Sequence, residues 1–133
     1  MEDLKSATAK TPLFTLKDVV CEAKCVKVYD GDTCHLVINQ PGSGELRRYV
    51  CRTIGYNSAE ISSKDPVEKA AAIKAKDHLS KLILDKIVKV QFYDHDRYGR
   101  MLVKIEIDGI DICSEMLSTG NGKPYSGRGE KKW

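Results

Sequence analysis

Several things are missing from this 133-residue chain. No stretch stays apolar for the ~18–20 residues that a helix needs to cross a bilayer, so no membrane partner is expected. The opening MEDLKSATAKTPLF has no apolar core behind a basic start, so no signal peptide is expected and the chain reads as intracellular. Neither sign of charge dominates: 22 basic residues face 19 acidic ones, a net of +3. That total alone names no polyanionic partner, because the placement of charge matters more than its sum. The five cysteines form an odd set without a secretory signal, which favours reduced thiols. Zinc through Cys21, Cys25 and a histidine is the sharper alternative, but no second closely spaced pair supports it. No internal repeat is visible.

What is present reads as one ordinary soluble domain, 41% hydrophobic and 31% charged. Residues 1–17 are polar and weakly patterned and read as a mobile arm, with Leu13, Phe14 and Leu16 as the residues to tack it down. From Val19 to Tyr29 the β-branched content favours a strand. Asp30-Gly31 turns it, a second strand covers Thr33 to Asn39, and Pro41-Gly42-Ser43-Gly44 breaks the chain again. A third strand runs from Leu46 to Ile54. Asp65 then caps a helix that opens on Pro66 and extends to about Leu84. Its Ala72, Ala75, Leu79, Leu82 and Ile83 make an apolar stripe suited to covering a sheet. Strands at Ile87–Tyr93 and Met101–Ile107 and a short helix at Ile112–Ser118 complete the domain, expected over 18–126. The basic, glycine-containing residues 127–133 read as a flexible tail. Three strands, a helix, two strands and a helix fit an α+β, mainly β class. The plan is a five-stranded antiparallel Greek-key OB-fold barrel with its long helix after the third strand, although fold alone does not establish function.

Three short segments carry the candidate chemistry. Asp30 and Asp32 stand two apart at a strand entrance, so in extended chain they point the same way. Paired carboxylates can hold a hard cation such as Ca2+, although an Asp-Gly pair alone more often means only a turn. Arg52, near the end of the third strand, and Arg100 supply two planar guanidinium groups that could clamp a phosphate and offset its growing charge. Glu60, in an irregular segment, could act as general base beside an activated water. His95 in Asp94-His95-Asp96 could suggest a transition-metal site, but the segment reads as a polar turn and that reading is favoured.

Together these segments resemble the staphylococcal nuclease family. DGDT at 30–33 matches its first motif, Arg52 through Glu60 (RTIGYNSAE) its second without a gap, and DRYGR at 96–100 followed by MLVKIEIDG its third. The resemblance covers about residues 24–126 and implies the same OB barrel. It implies Ca2+-dependent hydrolysis of DNA and RNA that leaves the phosphate on the 3′ side. Asp32 is then a Ca2+ ligand and Ser58 lends its backbone carbonyl to the ion. Arg52 and Arg100 bind and polarise the scissile phosphate, and Glu60 is the base. Tyr98 and Tyr125 fall where the family places aromatic groups near the nucleotide, and Lys123 is within reach of a phosphate. A monomer acting preferentially on single-stranded nucleic acid is expected.

The second motif departs from the family pattern at two positions. Asn57 stands where the family has a metal-binding Asp, and Ala59 where it has Pro. Asn can ligate Ca2+ through its amide oxygen but brings no charge, so weaker Ca2+ binding is expected. Turnover should be slower, by about a hundredfold if the lost ligand costs ~2.7 kcal/mol of barrier. The rival expectation is a module of the same fold that binds single-stranded nucleic acid or a protein and cleaves nothing.

Overall fold

The computed structural model describes residues 3–125, so the expected 127–133 tail lies outside the described residues. The elements are β1 (Val20–Asp30), β2 (Thr33–Asn39), β3 (Leu46–Thr53), β4 (Tyr56–Asn57), α1 (Pro66–Ile83), β5 (Ile87–His95), β6 (Met101–Ile107), β7 (Ile110–Asp111), α2 (Ile112–Ser118) and β8 (Lys123–Pro124). Strands lie in the order β3-β2-β1-β5-β6, and β3 pairs with β6 to close the barrel. That closing seam is parallel, with Cys51, Arg52 and Thr53 opposite Met101, Leu102 and Val103. The expectation of a wholly antiparallel barrel is therefore corrected to a mixed one, and the reason is parity. Strands that alternate in direction around a ring need an even number, so five must leave one parallel seam.

The barrel interior follows from alternation along the strands. Val88, Val90 and Phe92 of β5 point inward and are buried, as are Leu36 and Ile38 of β2 and Val103 and Ile105 of β6. Helix α1 packs across β1 and presents Ala72, Ala75, Leu79 and Ile83 to the core, with Leu82 half-buried beside them. It begins as its sequence dictates: the Asp65 side chain accepts from the Val67 N–H at 3.1 Å, and Pro66 occupies the first turn, where a missing N–H costs nothing.

The N-terminal segment differs in detail from its expectation. Leu16 is buried in the core while Leu13 and Phe14 stay exposed. The Asp18 N–H bonds to the Phe92 carbonyl at 2.8 Å, which ties the segment's end to β5. Two short pairings carry too few residues to show any period in the sequence: β4 with β8, and β7 with β6. No helix among the described residues is long and apolar enough to cross a membrane.

Candidate active site at the parallel seam

Parity has a functional consequence. Because β3 and β6 run side by side in the same direction, Arg52 at the end of β3 comes next to the start of β6, where Arg100 leads in. The turn between β1 and β2 closes the third side, since Thr33 pairs with Arg52. That turn fits only glycine at its second position. A Cβ on Gly31 would stand 2.6 Å from Ser58 Cβ and 2.7 Å from Ala75 Cβ, so the bare backbone is what lets the turn nest against α1 and the Ser58 segment.

Asp32 is the centre of the arrangement and is almost fully buried. Its Oδ2 accepts from the Ser58 N–H at 3.0 Å and its Oδ1 from the Thr33 hydroxyl at 3.1 Å. The Arg52 guanidinium lies 3.6 Å away and balances its charge. The Asp30 carboxylate, also buried, accepts from the Asp32 N–H at 3.1 Å and shapes the turn. The Tyr56 hydroxyl donates to the Gly31 carbonyl at 2.7 Å. Complete burial pushes the Tyr56 phenol well above its usual value, so it remains a donor.

Arg52 is held from three sides. Its Nη1 donates to the carbonyls of Thr53 and Tyr56, at 2.9 and 3.2 Å, and its Nη2 to Asn57 Oδ1. The Tyr125 ring lies over the guanidinium, 5.4 Å from centroid to Cζ, within cation–π range. Arg100 is held differently. Its backbone N–H and its Nε donate to the two oxygens of Asp96, at 2.9 and 2.7 Å, and its Nη1 reaches Thr33 Oγ1 at 3.5 Å. Partial burial alone would raise the Asp96 carboxyl. The bonds from the Arg100 N–H and guanidinium and from the Tyr98 N–H outweigh that, and its pKa is lowered. Tyr98 carries Arg97 and Arg100 against its ring at 5.1 and 5.6 Å. A line of hydrogen bonds, with one ion pair between Asp32 and Arg52, thus runs from Asp96 through Arg100, Thr33, Asp32 and Arg52 to Asn57.

Asp32, Arg52, Glu60, Tyr98, Arg100 and Tyr125 line a single cavity of about 1090 Å³. Six of the nine expected site residues therefore meet in one place. Asn57 and Ser58 are buried and lie outside its lining; Asn57 borders a separate small cavity instead. Lys123 does not join the group. It pairs with Asn57 on the β4–β8 ribbon and borders the same small cavity, of about 140 Å³. Sequence reading gave no role to Thr33, which links Asp32 to Arg100, or to Asp96, which clamps Arg100. Both stand inside the quoted motifs, and the acceptor two to four residues before an Arg was the available signal for Asp96.

The donor chemistry suits a hard cation in kind, because the Asp32 carboxylate, the Ser58 carbonyl and Glu60 all offer oxygen. It is short in charge. Among the described residues, no group of three or more His, Cys, Asp or Glu is placed to hold a metal, which also leaves Cys21, Cys25 and His95 without a shared site. Asn57 shows where the shortfall lies. Its one amide oxygen faces Arg52, and its buried Nδ2 has no hydrogen-bond partner. Arg donates only, so the amide cannot be turned the other way. A carboxylate at this position has a second oxygen to give a cation; the amide has an N–H2 group there instead.

Residues 51–132 match the family model described as staphylococcal nuclease homologue. The chain is 33% identical, over 97 residues and 71% of its length, to an uncharacterised 38.1 kDa protein of Capnoides sempervirens, covering 27% of that protein. It is 40% identical over 53 residues, 40% of its length, to a probable staphylococcal-like nuclease of Oryza sativa subsp. japonica, covering 16% of that protein. The chain thus spans about a quarter or less of the length of these relatives.

Proposed function

This chain belongs to the staphylococcal nuclease homologue family, and we propose that it hydrolyses phosphodiester bonds of DNA and RNA with the help of Ca2+. The observation that carries the reading is the meeting of Arg52, Arg100, Glu60 and Asp32 around one cavity at the barrel seam. Asp32 and the Ser58 carbonyl would hold the ion, and Asn57 could add only the uncharged oxygen that also accepts from Arg52. When bound, the ion supplies positive charge beside the scissile phosphate. The protein's own groups do the rest. Arg100, aimed by Asp96, and Arg52, fixed by its carbonyl acceptors, present positive charge where negative charge grows on the phosphate oxygens. Because they are already in place, little reorganisation is needed. Glu60 takes a proton from a water as its oxygen attacks phosphorus. The bond to the 5′ oxygen breaks and that oxygen takes a proton from solvent water, leaving a 3′-phosphate and a 5′-hydroxyl. Tyr98 and Tyr125 flank the two arginines and offer ring faces to sugar or base.

Action as a monomer on single strands, inside the cell, completes the proposal, and the five free thiols agree with a reducing compartment. The test is cleavage of single-stranded DNA with and without Ca2+. Glu60→Ala should cut the rate by about 10²–10⁴-fold with the circular dichroism spectrum unchanged; equal cleavage by both proteins removes Glu60 from the role. A second reading, binding without cleavage, is favoured by the orphaned Asn57 amide. It expects salt-sensitive oligonucleotide binding with no product released.

A further inference from the structure

The cavity is larger than the chemistry needs. Away from the arginines it continues to Tyr29, His35 and Val50, which take no part in the proposed reaction. The register shows why they lie together. On β2 and β3 the pairs Thr33–Arg52, His35–Val50 and Val37–Arg48 follow one another, and Lys27 of β1 sits opposite His35. The intervening Cys34, Leu36 and Cys51 point into the barrel and are buried, so these rungs share the outer face. Successive rungs on one face are about 6.7 Å apart, the same order as the repeat of an extended polynucleotide backbone. Tyr29 and Val50 are 46% and 40% exposed. His35 is half-buried, and burial, then Lys27 and Arg48, lower its pKa, so at neutral pH it presents an uncharged ring. Lys27, opposite it on β1, and Arg48, one rung further on β3, are exposed.

We propose that Tyr29, His35 and Val50 form a base-stacking subsite for a nucleotide flanking the scissile phosphate of a single strand, with Lys27 and Arg48 receiving that nucleotide's far phosphate. The inference rests on the nucleic-acid reading of the neighbouring cleft. It assigns one occupant because the uncharged patch continues the arginine cleft and is flanked by positive charge, which suits a polynucleotide. The arginine pair meets the scissile phosphate, the uncharged ring-and-aliphatic patch one rung on meets the base splayed from the strand, and Lys27 on that same rung, with Arg48 reaching in from the next, meets the adjoining phosphate. Stacking on aromatic faces tolerates any base, so the subsite confers length dependence rather than sequence preference.

The experiment compares a labelled oligothymidylate with a thymidine dinucleotide on the parent, Tyr29→Ala, Tyr29→Phe and Lys27→Ala/Arg48→Ala. Binding is read by fluorescence anisotropy in a Glu60→Ala background, and cleavage in the otherwise native chain. Tyr29→Ala should weaken oligonucleotide binding by about 5- to 100-fold and raise KM for the oligonucleotide with kcat kept. Tyr29→Phe should restore both. The dinucleotide carries the flanking base but not the far phosphate, so Tyr29→Ala should raise its KM too, while the double charge variant should leave its cleavage unchanged. The double charge variant should lower the slope of log affinity against log salt by about 0.7. Oligonucleotide binding by Tyr29→Ala equal to the parent's overturns the subsite and leaves the nuclease reading standing. A parent that binds but does not cleave, with binding lost in Tyr29→Ala, supports the subsite and retires the catalytic reading. A parent that binds no oligonucleotide overturns both.

Discussion

Replacing Asn57 by aspartate should raise Ca2+ affinity without disturbing the fold. The side chain is fully buried, its oxygen accepts from Arg52 Nη2, and its Nδ2 has no partner. The substitution removes that orphan donor, whose burial costs about 1–3 kcal/mol. It keeps one oxygen on Arg52 and places a second where the nitrogen was. Burying a new carboxylate costs several kcal/mol. Its attraction to the adjacent guanidinium returns about 4 kcal/mol at ~4 Å in an effective dielectric of 20, so ion-free stability should change by no more than about 2 kcal/mol. For a divalent cation the added charge is not offset, and a gain of about 1.4–2.7 kcal/mol, ten- to a hundredfold in Kd, is expected. At saturating Ca2+ that gain appears as extra stabilisation of the same size. In a domain of this length it amounts to roughly 4–12 °C in Tm. Calorimetric titration of both proteins with Ca2+, and melting curves with and without it, measure the two quantities. Equal Kd values in two well-folded proteins would refute the argument that the amide is the site's missing ligand.

Three further outcomes follow from the geometry. Asp96→Asn should leave Arg100 in place but loosely aimed, lowering kcat by about ten- to a hundredfold in steady-state cleavage; an unchanged kcat separates the clamp from catalysis. The same carboxyl has a pKa lowered on folding, mainly through its bonds from Arg100 against an opposing effect of burial. Its stabilisation is therefore complete above the unfolded carboxylate range and is lost as pH falls through the lowered value. The parent should thus lose more Tm than Asp96→Asn between neutral and acid pH, and parallel curves would contradict the sign. Gly31→Ala should destabilise the domain by about 1–3 kcal/mol in urea titration, because the added Cβ meets Ser58 and Ala75 Cβ atoms at 2.6 and 2.7 Å; a variant as stable as the parent would show that the turn can withdraw from α1.

The elements legible in the sequence were those with a period or a cap. β2, β6 and α2 fall on the expected residues, and α1 ends one residue early, because two-residue and helical periods and Asp65-Pro66 punctuate those segments. The two-residue strands carry no period, and the parallel seam follows from the count and direction of strands rather than from any local residue. Six of the nine site positions meet in one cavity, since motif spacing reports which strand ends converge. What spacing could not report is who holds whom. Asn57 reads in sequence as a ligand that lacks a charge. In the fold its one oxygen already accepts from Arg52 and its nitrogen has no partner. The second lone pair of that oxygen is all the amide could offer a cation, and it carries no charge, whereas a carboxylate keeps one oxygen for the guanidinium and frees the other. Arg52, joined to the same segment through the Thr53 and Tyr56 carbonyls, is in place as soon as the chain folds, so a cation would meet an oxygen already polarised toward the guanidinium.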